Sequence, residues 1–190
     1  WYLSKGDHKY KTVVIDQVSQ LQDLAIVQAM HDDGKKDGDS ISKRNWGQAA
    51  GLLKTWLLNY RDLIDTGLHV VYLAHDRTTR EDEESSGGDQ LEPLVGARIM
   101  PSVAAFLNGA VKVIGNTFIQ ERYEVVGNKK KRVVEYAMRI GPHAHYTTKT
   151  RSPVGVEAPH AIVNPTFDKL LAVMTGTYDE APSKLKKKPR

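Results

Sequence analysis

The sequence predicts an α/β fold, a mostly parallel sheet flanked by helices with a C-terminal antiparallel β-hairpin extension. Three observations predict it. Residues 10–16 (Tyr-Lys-Thr-Val-Val-Ile-Asp) and 68–75 (Leu-His-Val-Val-Tyr-Leu-Ala-His) are apolar runs with little alternation, as in strands covered on both faces. Between them Ala49, Leu52, Leu53, Trp56, Leu57, Tyr60, Leu63 and Ile64 recur at helical spacing, completing a strand–helix–strand crossover. Further on, residues 118–126 and 133–140 read as strands on either side of Gly127-Asn128-Lys129-Lys130-Lys131-Arg132, a hairpin turn.

The remaining elements follow in order. Val18, Leu21, Leu24 and Ala25 carry a helix to about Met30, and residues 31–43, rich in Asp, Gly, Lys and Ser, form a loop. Gly67 stands where a C-terminal cap closes the long helix. Residues 76–93 are a polar loop, long enough to be either functional or disordered. Residues 98–108 suit a short helix broken near Pro101, residues 110–115 a strand, and residues 166–174 a final helix. The expected organisation is one core, residues 1–176, and a basic tail, residues 177–190.

Composition narrows the class. The 190 residues are 40% hydrophobic and 26% charged, enough for a well-buried domain. The net charge of +4 is misleading, because residues 184–190 hold five cations. Without them 22 cations face 23 carboxylates, a net of −1, so the body is not coated in basic surface. With no cysteine, a disulfide scaffold, a thiolate metal site and a cysteine nucleophile are all excluded. No apolar stretch approaches the ~18 residues of a membrane span, and a cytoplasmic protein is expected.

Three groups of residues can carry chemistry. Asp16 closes an apolar strand, where open parallel sheets collect ligands, and a carboxylate there suits Mg²⁺. The plainer alternative is an Asp capping the next helix. His75 ends the second strand, so on neighbouring strands the two share one rim, where a polar group can sense a phosphate or orient a water. Lys149 and Arg151, two residues apart on an extended segment, point to one side and can grip phosphate oxygens; solvated cations are the alternative. His143 and His145 lack an evident third ligand for a metal.

The order of these elements resembles the RecA-like ATPase core of the P-loop NTPase superfamily, in particular small phage-encoded RecA-like recombination proteins. The resemblance rests on Thr12-Val13-Val14-Ile15-Asp16-Gln17-Val18, which is Walker B-like, and Val70-Val71-Tyr72-Leu73-Ala74-His75-Asp76-Arg77. With them go Leu94-Val95-Gly96 and Lys149-Thr150-Arg151, so that residues 8–155 are covered. It implies ATP and Mg²⁺ as cofactors, with Asp16 holding the Mg²⁺ water shell and His75 sensing the γ-phosphate. Lys149 and Arg151 would reach the nucleotide of a neighbouring subunit in a ring or filament. It also implies a single-stranded DNA partner, a single-strand-binding or annealing protein as a further one, and host cytoplasm as the setting. Loops at about 31–47 and 76–93 would face the DNA, with Lys43, Arg44, Trp46, Arg77 and Arg80 in contact.

Two departures qualify this resemblance. No glycine here leads into the phosphate-binding loop G-x-x-x-x-G-K-[ST]. The chain begins at Trp1, so that loop is expected upstream; a scaffold that has lost nucleotide binding is the alternative. These residues alone are expected to be inactive as an ATPase. Between Glu81 and Glu92 the second loop carries six carboxylates and no Lys or Arg, which disfavours DNA there.

Overall fold

A computed structural model describes residues 2–36, 38–79, 94–127 and 129–179. The chain divides into two compact units, Trp1–Val111 and Lys112–Arg190. Arg80, the acidic run at 81–92 and the basic residues at 184–190 lie outside the described residues.

The first unit is built on a parallel pair. Strand β1 (Thr12–Asp16) lies beside β2 (His69–Leu73), with Asp16 opposite Leu73. Two helices form the crossover, α1 (Val18–Asp32) and α2 (Lys43–Arg61), the latter extended by a 3-10 turn that ends at Gly67, φ 80°. Strands β3 (Asp76–Thr79) and β4 (Leu94–Ala97) pair antiparallel, and α3 (Pro101–Ala110) follows. The core is a helix sandwich. Ala49, Leu53 and Leu57 of α2 recur every four residues and are almost fully buried with Val18 and Ala25 of α1 and Val103 of α3. Ile15 and Tyr72 pack onto this cluster from one face of the parallel pair, while Val14 and Leu73 on its other face stay exposed.

Asn45 joins the two crossover helices. It is fully buried, and its amide nitrogen donates to the Ala29 carbonyl of α1 and to Asp33 Oδ2, each at 3.2 Å. Its amide oxygen accepts from the Ser42 backbone N–H at 3.1 Å, while Ser42 Oγ caps the Asn45 N–H at 3.2 Å. A capping box thus starts α2 and fastens it to the end of α1.

Tyr72 also reaches α2, its hydroxyl donating to the Leu57 carbonyl at 2.9 Å. Burial pushes its pKa from 10.0 up to about 12. The unfolded chain therefore ionises first, so stability is intact below pH 10 and is lost as pH rises toward 12. Tyr72→Phe is expected to cost about 1 kcal/mol at neutral pH, for the lost hydrogen bond, and to flatten that alkaline decline. Urea unfolding followed from neutral to alkaline pH measures both.

In the second unit, β5 (Val113–Ile114) pairs antiparallel with β8 (Lys149–Thr150). The long ribbon β6 (Asn116–Val126) and β7 (Lys129–Arg139) is joined by β9 (Ala161–Val163) along Ala137 to Arg139 of β7. Helix α4 (Phe167–Thr175), capped by the Thr166 hydroxyl, closes a small core of Ile140, Ile162 and Val173. Gly141 sits where a Cβ would come within 2.8 Å of the His160 Cα, and its N–H donates to the His160 carbonyl at 3.1 Å. Backbone cannot step aside as a side chain can. Gly141→Ala is expected to destabilise by roughly 1–3 kcal/mol. Gly115→Ala, which meets the flexible Met138 side chain, should cost less; thermal melts of both variants rank them.

Several expectations are corrected. Among the described residues one strand pair is parallel and four are antiparallel, so the parallel character is realised only at β1 and β2. Residues 76–79 are a strand, where a polar loop was expected over 76–93. Pro101 begins α3 instead of breaking it, since the first helical turn has no use for the missing N–H. Leu24, read into the apolar face of α1, is exposed. Residues 129–132, read as part of the hairpin turn, are paired in β7.

Candidate functional site

The two strands of the parallel pair end together, as the shared rim of Asp16 and His75 required. Asp16 is the last residue of β1 and is exposed; His75 lies two residues beyond the end of β2. What meets His75 is Gln17, whose Nε2 is 3.0 Å from His75 Nε2. With the amide donating, the imidazole carries its proton on Nδ1. The His75 backbone is held on both sides: its N–H donates to Ser19 Oγ at 3.3 Å and its carbonyl accepts from the Arg98 N–H at 2.7 Å. A cis peptide joins Asp16 to Gln17.

Gln17, Ser19, Gln20, Asp23, His75 and Arg98 line an open, polar cleft of ≈ 310 Å³. The Gln17 Oε1 is buried there without a hydrogen-bond partner. Such an oxygen is costly unless something polar arrives to meet it. Gln17 is the residue that sequence reasoning missed: it adjoins Asp16, but only the fold brings it to His75.

These donors suit one kind of cation. Mg²⁺ is held through one or two carboxylates, several waters and phosphate oxygens of a substrate. Among the described residues no three His, Cys, Asp or Glu cluster to cage a metal alone. Asp16, exposed and next to Gln17 in the chain though not among the residues lining the cleft, fits Mg²⁺ delivered with a nucleotide.

The other candidates are placed as follows. Lys149 lies in β8 opposite Ile114, and Arg151 follows it, its N–H donating to the Lys112 carbonyl at 3.0 Å. Desolvation, and then the Arg151 charge, hold the Lys149 ammonium below its ordinary pKa, so the two like charges feel each other. Lys43, Arg44 and Trp46 are in the first turns of α2, where a loop was expected to extend to residue 47. Arg44 pairs with Asp33 at 3.2 Å, and Lys43 and Trp46 are exposed. Arg77 is exposed on β3 opposite Gly96. His143 Nδ1 accepts from the His145 N–H at 3.0 Å, a local turn contact.

A crossover between parallel strands, with polar residues gathered at their carboxyl ends, is the arrangement of a nucleotide-handling α/β protein. The family described as AAA domain matches residues 2–152. The chain belongs to that AAA-domain family, within the P-loop NTPase superfamily. No curated protein and no solved structure matches the chain. Among the described residues no helix is long and apolar enough to cross a membrane.

Proposed function

We propose that these residues form the Mg²⁺- and γ-phosphate-facing part of a RecA-like ATPase of phage type that acts on single-stranded DNA in recombination or annealing. The observation that carries the reading is the Gln17–His75 contact at the end of the parallel pair, next in the chain to Asp16, in a chain of the AAA-domain family. Bound Mg²⁺ would neutralise charge on the phosphates of ATP. Asp16 would hold its water shell. Gln17 would fix the His75 ring through the 3.0 Å contact, leaving its own oxygen to accept from a water or a hydroxyl. Lys149 and Arg151, whose mutual repulsion an anion would relieve, would serve the nucleotide of a neighbouring subunit in a homo-oligomer.

Mixing Asp16→Ala with Arg151→Ala subunits, in a protein that carries these residues together with a G-x-x-x-x-G-K-[ST] loop, tests the trans arrangement. A mixed assembly contains interfaces with an intact Asp16 and an intact Arg151, so DNA-stimulated ATP hydrolysis should partly recover. No recovery, with assembly intact, counts against cations acting in trans.

One observation favours a second reading, a binding module on the same scaffold without turnover: these residues contain no G-x-x-x-x-G-K-[ST]. Calorimetric titration of the whole natural protein with MgATP separates the two, since the module should bind DNA or protein with no heat from nucleotide.

A further inference from the structure

The β6–β7 ribbon carries a feature the nucleotide site does not use. β9 supports it only along Ala137 to Arg139, so the part beyond, up to the turn, is a two-stranded arm about 27 Å long at ~3.4 Å per residue. None of the arm's described side chains is buried. A two-stranded ribbon alone in water is marginal, so an arm of this length gains from something laid against it.

One face of the arm is aromatic and apolar. The register puts Ile119 opposite Tyr136, Tyr123 opposite Arg132 and Val125 opposite Lys130, all on that face. Tyr123 is 66% exposed and Tyr136 64%. Four residues of ribbon, about 13 Å, separate the two rings. The charge is as uneven as the polarity. All three carboxylates of the ribbon are held by arginines: Arg122 pairs with Glu124 and Glu135 at 2.8 Å each, and Arg132 with Glu121. Lys129, Lys130 and Lys131, at the turn end, are exposed and have no acidic partner among the described residues.

We infer that the arm is a binding platform for single-stranded nucleic acid, with Tyr123 and Tyr136 stacking on bases and Lys130, on the same face, holding a phosphate, while Lys129 and Lys131 on the other face add attraction at the turn end. Aromatic rings standing on a sheet face with Lys130 beside them are what an unpaired strand needs, since every base offers a flat face and every linkage a charge. An apolar protein partner would be a poor match, because the Glu121–Arg132 ion pair crosses the middle of the face. The choice of polyanion rests on the DNA-directed reading above.

The test is fluorescence anisotropy of the full chain with a labelled oligothymidine of about 20 nucleotides, ample for a single binding platform. Tyr123→Thr and Tyr136→Thr should each weaken binding about tenfold, while the Phe variants, which keep the ring, bind as wild type. Replacing Lys130 by Gln should lower the slope of log affinity against log salt by about 0.7, and replacing Lys129 and Lys131 on the other face should lower it by less. Circular dichroism confirms that the variants fold. Wild-type binding that survives both sets of changes overturns the arm and leaves the DNA reading standing. No wild-type binding overturns both. Wild-type binding to phosphatidylserine vesicles but not to the oligonucleotide, lost in the same variants, overturns the nucleic-acid assignment in favour of a membrane surface.

Discussion

Asp16→Ala is expected to lower ATP hydrolysis at least about 100-fold in a protein that carries these residues together with a G-x-x-x-x-G-K-[ST] loop. The size follows from position. Asp16 is the carboxylate at the carboxyl end of the parallel pair, and among the described residues no cluster of three potential ligands stands ready to replace it. Because its side chain is exposed and makes no packing contribution to the core, folding should change by less than about 0.5 kcal/mol. Activity and stability are thereby separated. Asp16→Asn, which keeps the shape and removes the charge, should be nearly as inactive. His75→Ala should bind nucleotide and hydrolyse it slowly, since the ring faces Gln17 and not the core. A fall of only a few-fold in Asp16→Ala, with the melting temperature unchanged, would remove Asp16 from the metal role.

The second large effect is on stability. Asn45→Ala should destabilise the first unit by roughly 3 kcal/mol, a loss of more than 100-fold in the folded-to-unfolded ratio. The side chain accepts from the Ser42 N–H and donates to the Ala29 carbonyl and Asp33, at a site with no solvent exposure. Alanine removes these bonds together and leaves the Ala29 carbonyl without this donor. Ser42 Oγ would still cap the helix, so α2 should form but be held less firmly against α1. Asn45→Asp keeps an acceptor for Ser42 but sets a buried charge toward Asp33, and should be worse than alanine. Chemical denaturation of the three proteins measures the order; an alanine variant within about 0.5 kcal/mol of wild type would show that water replaces these bonds.

Asn45 shows why part of this fold escapes a linear reading. Its spacing along α2 is that of an ordinary first-turn polar residue, and nothing local announces that its amide reaches 16 positions back to Ala29. The same holds for Gln17. Apolar runs marked β1 and β2, and the rim residues Asp16 and His75 followed from where those runs stop. The partner of His75 did not, because a contact across 58 residues depends on how the crossover helices set the two strand ends. The polar stretch after His75 misled for a related reason. Asp76, Arg77, Thr78 and Thr79 are exposed in an antiparallel pair, where no apolar face is needed to hold the strand. Residues 129–132 misled likewise, being charged and yet paired through their backbones.

The sequence by itself determined the strand–helix–strand crossover, the carboxylate at its end and the helical face of Ala49, Leu53 and Leu57, because burial imposes a period that composition records. It also determined that the charge of +4 belongs to the end of the chain and not to its body. Tertiary structure alone decided that Gln17 meets His75, that Asn45 binds α1 to α2, and that Tyr123 and Tyr136 share one open face of a ribbon. Those are relations between residues far apart in the chain, set by strand register and helix packing, and a one-dimensional pattern carries no record of either.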